Sequence, residues 1–374
     1  MSVSISAYCY CNRAEQYDMP YVGSILSWAD VCKNGRIIVV TDPRFKDGTL
    51  EKLQQLEKSR SNITVHEHEW NVDNPGCDGL EKAYARNLAA DTGADVLIPF
   101  DVDEVVHEKS VPVLLQTAEV MVQRKVRVIA TGIFDWFNGK HIRFNAPLYK
   151  PRLTLNDGLL THGIPEEHKL VLPNGKVYAS KLTDGAGLID TRSRTYCGEN
   201  LSLSEPLSIN TDPNESTEET IKAGLSRLAK SLVNRNHVWL QHFSWLDLPR
   251  KWAMDQTWWY LWHNLYGDYP NGLEDYKVFK TNEDGKGGES VNFWEISDVR
   301  RPLDSYRDAI IDQMSRFEIL SLTWLSFPKY VNYWIKSHNR RVWGQKRADI
   351  KKPNTMVEKG KESIERIFRR RFDF

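Results

Sequence analysis

No stretch of this chain approaches the roughly 18 or more consecutive apolar residues that a bilayer-spanning helix needs. Its first residues, MSVSISAYCYCNRAEQ, have neither the basic nor the apolar region of a secretory signal, so a cytoplasmic location is the expectation. Nor is there an excess of charge of either sign. With 50 Lys and Arg against 50 Asp and Glu, no overall field draws the chain onto nucleic acid or anionic lipid, and any such partner must be met by a local patch. Cysteine is scarce: Cys9, Cys11, Cys32, Cys77 and Cys197 are odd in number and include no CxxC pair, which points to reduced, buried thiols rather than a disulfide framework or zinc knuckle. Glycine is missing from the segment AYCYCNR at 7–13, where a nucleotidyltransferase would carry a phosphate loop after its first strand. No internal repeat is evident. What is present, 41% hydrophobic residues over 374, can bury a substantial core as one large domain with appendages or as two domains.

The first hundred residues alternate short β-rich runs with helical patterns, the signature of a parallel sheet with crossover helices. Strands are expected at 3–8, 36–41, 63–66 and 96–100. Helices are expected from about 17 to 31, around Leu50, Leu53 and Leu56, and over 80–92, where Gly93 stops the last one. A loop rich in Gly, Pro and Asp fills 71–79. Beyond about 125 the alternation breaks down, and runs at 126–133 and 146–155 suggest an added, partly antiparallel portion. Residues 199–220 read as a surface loop ending in a capping box, Ser216 with Glu219, that opens a helix carrying Ile221, Leu225, Leu228 and Leu232 on one face. A second loop is expected at 281–290.

The strand at 96–100 runs straight into Asp101-Val-Asp-Glu104. Acidic-x-acidic triplets are common by chance, roughly six or seven in a chain this acidic, so position decides their value. Asp101 and Asp103 stand at the carboxyl edge of a parallel sheet, where open α/β folds place ligands. Two carboxylates facing one crevice suit a divalent ion that neutralises a departing nucleoside diphosphate, and oxygen ligands favour Mg²⁺ or Mn²⁺. The competing reading is a solvated turn or a cap on the helix that follows.

The block Gly79-Leu-Glu-Lys-Ala-Tyr-Ala-Arg-Asn-Leu-Ala-Ala90, followed by Gly93-Ala-Asp-Val-Leu-Ile-Pro-Phe-Asp-Val-Asp-Glu104, resembles the segment of family-2-like GT-A glycosyltransferases that carries an "ARN" helix, an apolar strand and the DxD. The resemblance is close over about 30 residues and reasonable over the first 110. It implies that Asp101 approaches the nucleoside ribose or the metal, that Asp103 ligates the metal, that Arg86 and Lys82 reach the base or phosphates, and that Asp42 hydrogen-bonds the base. Pro99 departs from the pattern, because it cannot donate a ladder hydrogen bond in a central strand, and a local bulge is the expected remedy.

A stretch at 238–245, VWLQHFSW, followed by Arg250 and Lys251, is similar to a late histidine motif of such enzymes. It implies His242 as a third metal ligand, with His237 as fallback, and places Arg250 and Lys251 towards the diphosphate. The segment 161–169, THGIPEEHK, lies where the family often has an acceptor-side acid, making Glu166 and Glu167 candidate general bases for an inverting reaction, tuned by His162 or His168. A solvated charged turn is the alternative there, and Asp184 is an outlying candidate. Six tryptophans between 239 and 262 suit core packing or a sugar-stacking platform. Residues 329–374 hold 14 Lys and Arg against 5 Asp and Glu, which fits a solvated helix, peripheral contact with an anionic membrane, or nucleic acid.

The expected architecture is α/β: a Rossmann-like GT-A domain with a mostly parallel central sheet and flanking helices, plus a helical C-terminal extension. Its parts are a nucleotide-sugar-binding half at 1–125, an acceptor-side portion at 126–265 and a basic extension at 266–374. The expected activity is metal-dependent transfer of a hexosyl or pentosyl group from a nucleoside-diphosphate sugar, with UDP and inversion favoured by the resemblance. The acceptor would be a glycan, a lipid-linked glycan or DNA. The alternatives are a sugar transferase acting on modified DNA bases and a non-catalytic GT-A-like binding protein.

Overall fold

The structure, a computed structural model, describes residues 2–70, 77–137, 141–143, 149–163, 169–171, 177–179, 187–191, 196–197, 239–244, 277–281, 288–292, 319–321 and 327–336. Its first part runs β1 (Ile5–Tyr10), α1 (Tyr21–Val31), β2 (Ile37–Thr41), α2 (Thr49–Ser59), β3 (Ile63–Glu67), α3 (Cys77–Ala90), β4 (Val96–Pro99), β5 (Glu104–Val106) and α4 (Val111–Arg124). Strands β4, β1, β2 and β3 lie side by side in that order, all parallel, as helical crossovers require. Burial on both faces explains why β2 reads as an unbroken apolar run, IIVVT, with all five residues buried. Alternate side chains feed two cores. Ala7, Cys9, Ile37, Val39, Val96 and Ile98 pack with Ile25, Trp28, Leu53 and Met121 on one face; Tyr8, Ile38, Val40 and Leu97 meet Ala85 and Ala89 of α3 on the other.

The second part is mostly antiparallel. It comprises β6 (Val128–Phe137), β7 (His141–Arg143), β8 (Tyr149–Leu155), β9 (Leu160–His162), β10 (Lys169–Val171), β11 (Val177–Ala179), β12 (Leu188–Asp190), β13 (Tyr196–Cys197), β14 (Trp239–His242), β15 (Lys277–Thr281), β16 (Gly288–Asn292) and β17 (Ile319–Ser321). The main sheet continues from β4 through β8, β6 and β7 to β17, while β14 pairs with β6 and β5. Strands β13, β12 and β9 form a small sheet, and β10–β11 and β15–β16 are hairpins. The expected α/β, Rossmann-like architecture is the one observed, and it fits the GT-A plan of a parallel half extended by antiparallel strands. Within 266–374 the described residues comprise β15, β16, β17 and the segment 327–336, helical at 332–336. The expected loop and helix at 199–232, and all of the six tryptophans except Trp239, lie outside the described residues.

Pro99 needs no bulge. Val96 N donates to Ser4 O at 3.2 Å and Phe100 N to Tyr8 O at 3.1 Å, so by alternation the Pro99 nitrogen turns away from β1. On that side β8 pairs with β4 only through Val96 and Leu97. The helix before it ends as expected, with Gly93 at φ 72°. Segment 327–336 lies across α1: a Cβ on Gly23 would stand 2.7 Å from Val331 Cγ1, so only glycine permits this approach. Lys329 and Tyr330 both reach Asp30, at 2.9 and 2.8 Å.

Candidate active site at the carboxyl edge of the sheet

Chain direction in the parallel half brings Tyr10, Asp42 and Asp101 to one edge, since each lies at or just after the end of β1, β2 or β4. The turn after β4 is closed by Glu104 N donating to Asp101 O at 2.9 Å. Ser24 of α1 fixes it from below, its hydroxyl donating to Glu104 O at 2.6 Å. The Asp101 carboxylate then receives three cations. Lys82 of α3 donates to Oδ1 at 3.0 Å, and Lys150 and Arg152 of β8 donate to Oδ2 at 3.0 and 3.1 Å. Glu104 holds Arg152 from the far side through Nε at 3.0 Å and NH2 at 2.5 Å, and Lys150 at 2.8 Å. Burial alone would raise the Asp101 pKa; Lys82, Lys150 and Arg152 outweigh it and hold the carboxyl well below the usual range.

Asp103 faces a different partner. Strand β14 pairs antiparallel with β5, His242 opposite Glu104, and Phe243 N donates to Asp103 O at 3.0 Å. This brings His242 Nε2 within 3.4 Å of Asp103 Oδ1. The two donors are about as far apart as neighbouring ligands of an octahedral ion with bonds near 2.1 Å, roughly 3 Å. The pair therefore fits a small divalent ion, with an oxygen and an imidazole nitrogen as ligands. Among the described residues no group of three or more His, Cys, Asp or Glu converges on one point. Such an ion would take its remaining ligands from water and phosphate oxygens, as Mg²⁺ commonly does.

Asp42 is buried and fully engaged. Arg44 forks onto it with Nε at 3.0 Å from Oδ1 and NH2 at 2.6 Å from Oδ2, and Trp70 N donates to Oδ2 at 2.9 Å. Burial opposes ionisation, but these donors prevail and the Asp42 pKa is lowered. Trp70 packs against Tyr10 at 5.5 Å between ring centroids, and Lys82 Nζ lies 5.8 Å from the Tyr10 ring. A line of side chains thus joins Asp42 to Asp101.

Arg86 is placed elsewhere. It lies under α3 rather than at the edge, donating to Leu160 O at 2.8 Å, Thr154 Oγ1 at 2.8 Å and Tyr8 Oη at 3.1 Å. Arg86 can only donate, so the Tyr8 proton is available to His162 Nε2 at 2.7 Å. Of the expected site residues the fold thus pairs Lys82 with Asp101 and, separately, Asp103 with His242, so Asp101 does not converge with that pair as the third ligand that was expected, and Asp42 lies at the far end of the Tyr10–Trp70 line. Glu166, Glu167, Arg250 and Lys251, with His168, Asp184 and His237, lie outside the described residues. Sequence reasoning missed Lys150, Arg152 and Glu104. The signal for Lys150 and Arg152 was the alternation in β8, where Lys150, Arg152 and Thr154 share one face and Pro151, Leu153 and Leu155 the other.

The fold and site together define an α/β protein whose sheet edge gathers two lysines and an arginine on Asp101, with Asp103 beside His242. No protein-family model matches the chain, and no curated protein matches it. Among solved structures it is similar to S. aureus TarS 1-349, with 17% identity and a TM-score of 0.25 over 36% of this chain and 36% of that one. The same TarS fragment in complex with UDP-GlcNAc is 16% identical, with a TM-score of 0.25 over 36% and 34%. Mannose-1-phosphate geranyltransferase from Thermus thermophilus follows at 10% identity and a TM-score of 0.24 over 42% and 50%. The match therefore spans about a third to a half of those chains, and the functional reading rests on this chain's own residues.

Proposed function

We propose that this protein is a nucleotide-sugar transferase that moves a glycosyl group from a nucleoside diphosphate, UDP by preference, to an acceptor with the help of Mn²⁺ or Mg²⁺. The observation that carries the reading is the edge itself: buried lysines and an arginine converge on Asp101, while Asp103 and His242 stand 3.4 Å apart beside it. Such an edge has the right chemistry to hold a diphosphate and to stabilise the negative charge that grows on it as the glycosidic bond breaks. Asp103 and His242 would hold the divalent ion, which supplies charge neutralisation at the leaving group. Lys82, Lys150 and Arg152 keep fixed positive charge in a largely water-excluded place, so little reorganisation is needed during the reaction. Asp42 orders Arg44 and Trp70 at the far end of the Tyr10–Trp70 line, where a flat base would be received. Glu166 and Glu167 are proposed as the acceptor-side bases of an inverting displacement, in which one carboxylate takes the acceptor proton during in-line attack. TarS, whose structures contain UDP and UDP-GlcNAc, is an example of a protein with such a ligand.

The test is a thermal-shift panel of nucleoside diphosphates and nucleotide sugars, with and without Mn²⁺, on the parent and on Asp103→Asn. A nucleotide at about 100 times its dissociation constant stabilises the fold by roughly 2.7 kcal/mol. A metal-dependent shift restricted to one base and lost in Asp103→Asn is the expected result. A panel in which no nucleotide produces a shift sinks the reading.

A further inference from the structure

We propose that segment 327–336 positions His242 for the divalent ion, through an aromatic clasp in which Phe327 and Trp334 hold Phe243. This rests on the reading of Asp103 and His242 as metal ligands. Strand β14 is only four residues long, and both chain neighbours of His242 lead to one buried aromatic group. Gln241 Oε1 accepts from Trp136 Nε1 at 3.0 Å, and the Phe243 ring lies parallel to that of Trp136 at 6.5 Å between centroids. Phe327 closes the group, 4.6 Å from Trp136 and 6.2 Å from Phe243, and Trp334 meets Phe243 edge-on at 6.1 Å. These are the separations of aromatic rings in contact.

The clasp is anchored away from β14. Trp334 Nε1 donates to Asp18 O at 3.0 Å, in the connection from β1 to α1. Lys329 N donates to Glu108 Oε2 at 3.1 Å, in the turn between β5 and α4. Val331 and Ile335 are buried, which seats the segment on the protein. It therefore ties the strand that carries His242 to the connection after β1 and to the turn after β5, the strand that follows Asp103. Asp103 and His242 come from distant parts of the chain, so their separation depends on what holds β14 against β5. The bond from Phe243 N to Asp103 O does part of this, and the clasp fixes the ring of the same residue. An ion with few protein ligands gains its affinity from how well they are held, and supporting groups commonly change metal affinity by about 10- to 100-fold. Phe327 and Trp334 are thus positioning residues, acting on the ion through Phe243 and His242.

The test is an EPR titration of Mn²⁺ alone onto the full chain, with Asp103→Asn defining the binding that belongs to the site. Trp334→Leu is expected to weaken that binding by at least about tenfold. Trp334→Phe, which keeps a ring against Phe243 and gives up the bond to Asp18 O, should stay within about threefold of the parent. Tyr8→Phe, a destabilising change on the face of the sheet packed against α3, should leave the Mn²⁺ affinity unchanged, which separates positioning from a general loss of stability. If Trp334→Leu does not fold, Phe327→Leu takes its place with the same expectation. A loss smaller than about tenfold, or an equal loss in Tyr8→Phe, overturns the clasp, while Mn²⁺ binding by the parent leaves the metal pair standing. If the parent shows no Mn²⁺ binding that Asp103→Asn removes, the metal reading falls and the clasp with it.

Discussion

Arg152→Met removes the cation on which the ligand edge is built. Arg152 is 1% exposed and donates to Glu104 at 3.0 and 2.5 Å and to Asp101 at 3.1 Å, with Glu104 itself fully buried. Solvent screening is slight at that depth, and deleting Arg152 takes from the buried Glu104 its two guanidinium hydrogen bonds and leaves it Lys150 at 2.8 Å. The expected cost is about 3 to 5 kcal/mol, a large share of the roughly 5 to 15 kcal/mol that holds a domain together. At an m-value of about 3 kcal/mol per molar, the urea midpoint falls by roughly 1 to 1.7 M. Tryptophan fluorescence during urea unfolding reads this, and an unchanged m-value shows that the effect is on stability. Adding Glu104→Gln to Arg152→Met should recover at least about 1 kcal/mol relative to the sum of the single losses. A single-variant loss under about 1 kcal/mol would mean that the ion pair behaves as a surface pair, and the buried-cluster reasoning would be wrong.

Three further outcomes are expected. Tyr8→Phe leaves Arg86 and His162 each short of a buried partner and should cost about 1 to 3 kcal/mol in urea unfolding without altering nucleotide affinity. Gly23→Ala, which sets a methyl 2.7 Å from Val331 Cγ1 and 2.8 Å from Tyr330 O, should cost about 1 to 3 kcal/mol and raise proteolysis at 327–336. Because the folded-state pKa of Asp101 is depressed, its ionisation adds stability in full above the unfolded value of about 3.9, and this is lost as pH falls through the lower folded value. The stability gap between the parent and Asp101→Asn should therefore narrow below about pH 4, and a gap that widens on acidification contradicts the assignment.

Much of the fold could be read from spacing. Buried parallel strands such as 37–41 announce themselves as apolar runs, and the alternation with helices fixed where strand ends, and hence Asp101 and Asp103, must lie. The cations on Asp101 were harder to see, because a strand with alternating Lys150, Arg152 and Thr154 reads as half solvated. In the fold that polar face turns inward beneath α3, whose own sheet-facing row carries Lys82 and Arg86 among Ala85 and Ala89. Only the pairing of β8 with β4 reveals that these charges meet. The histidine beside Asp103 depends on β14 crossing to β5 from far along the chain, a contact that no local pattern encodes. Arg86 shows the reverse. The "ARN" resemblance implied a ligand-facing role, while local geometry gives it four acceptors inside the protein.

Whether the edge at Asp101 and Asp103 handles a nucleotide sugar is tested most directly by the release of nucleoside diphosphate from a set of nucleotide sugars. Release is followed by ³¹P NMR in Mg²⁺ and in EDTA, with Asp103→Asn in parallel. Release from one donor that requires the ion and is lost in Asp103→Asn, with the fold intact by unfolding midpoint, is the predicted result. Release that is indifferent to both metal and Asp103, or no release from any donor, would contradict it.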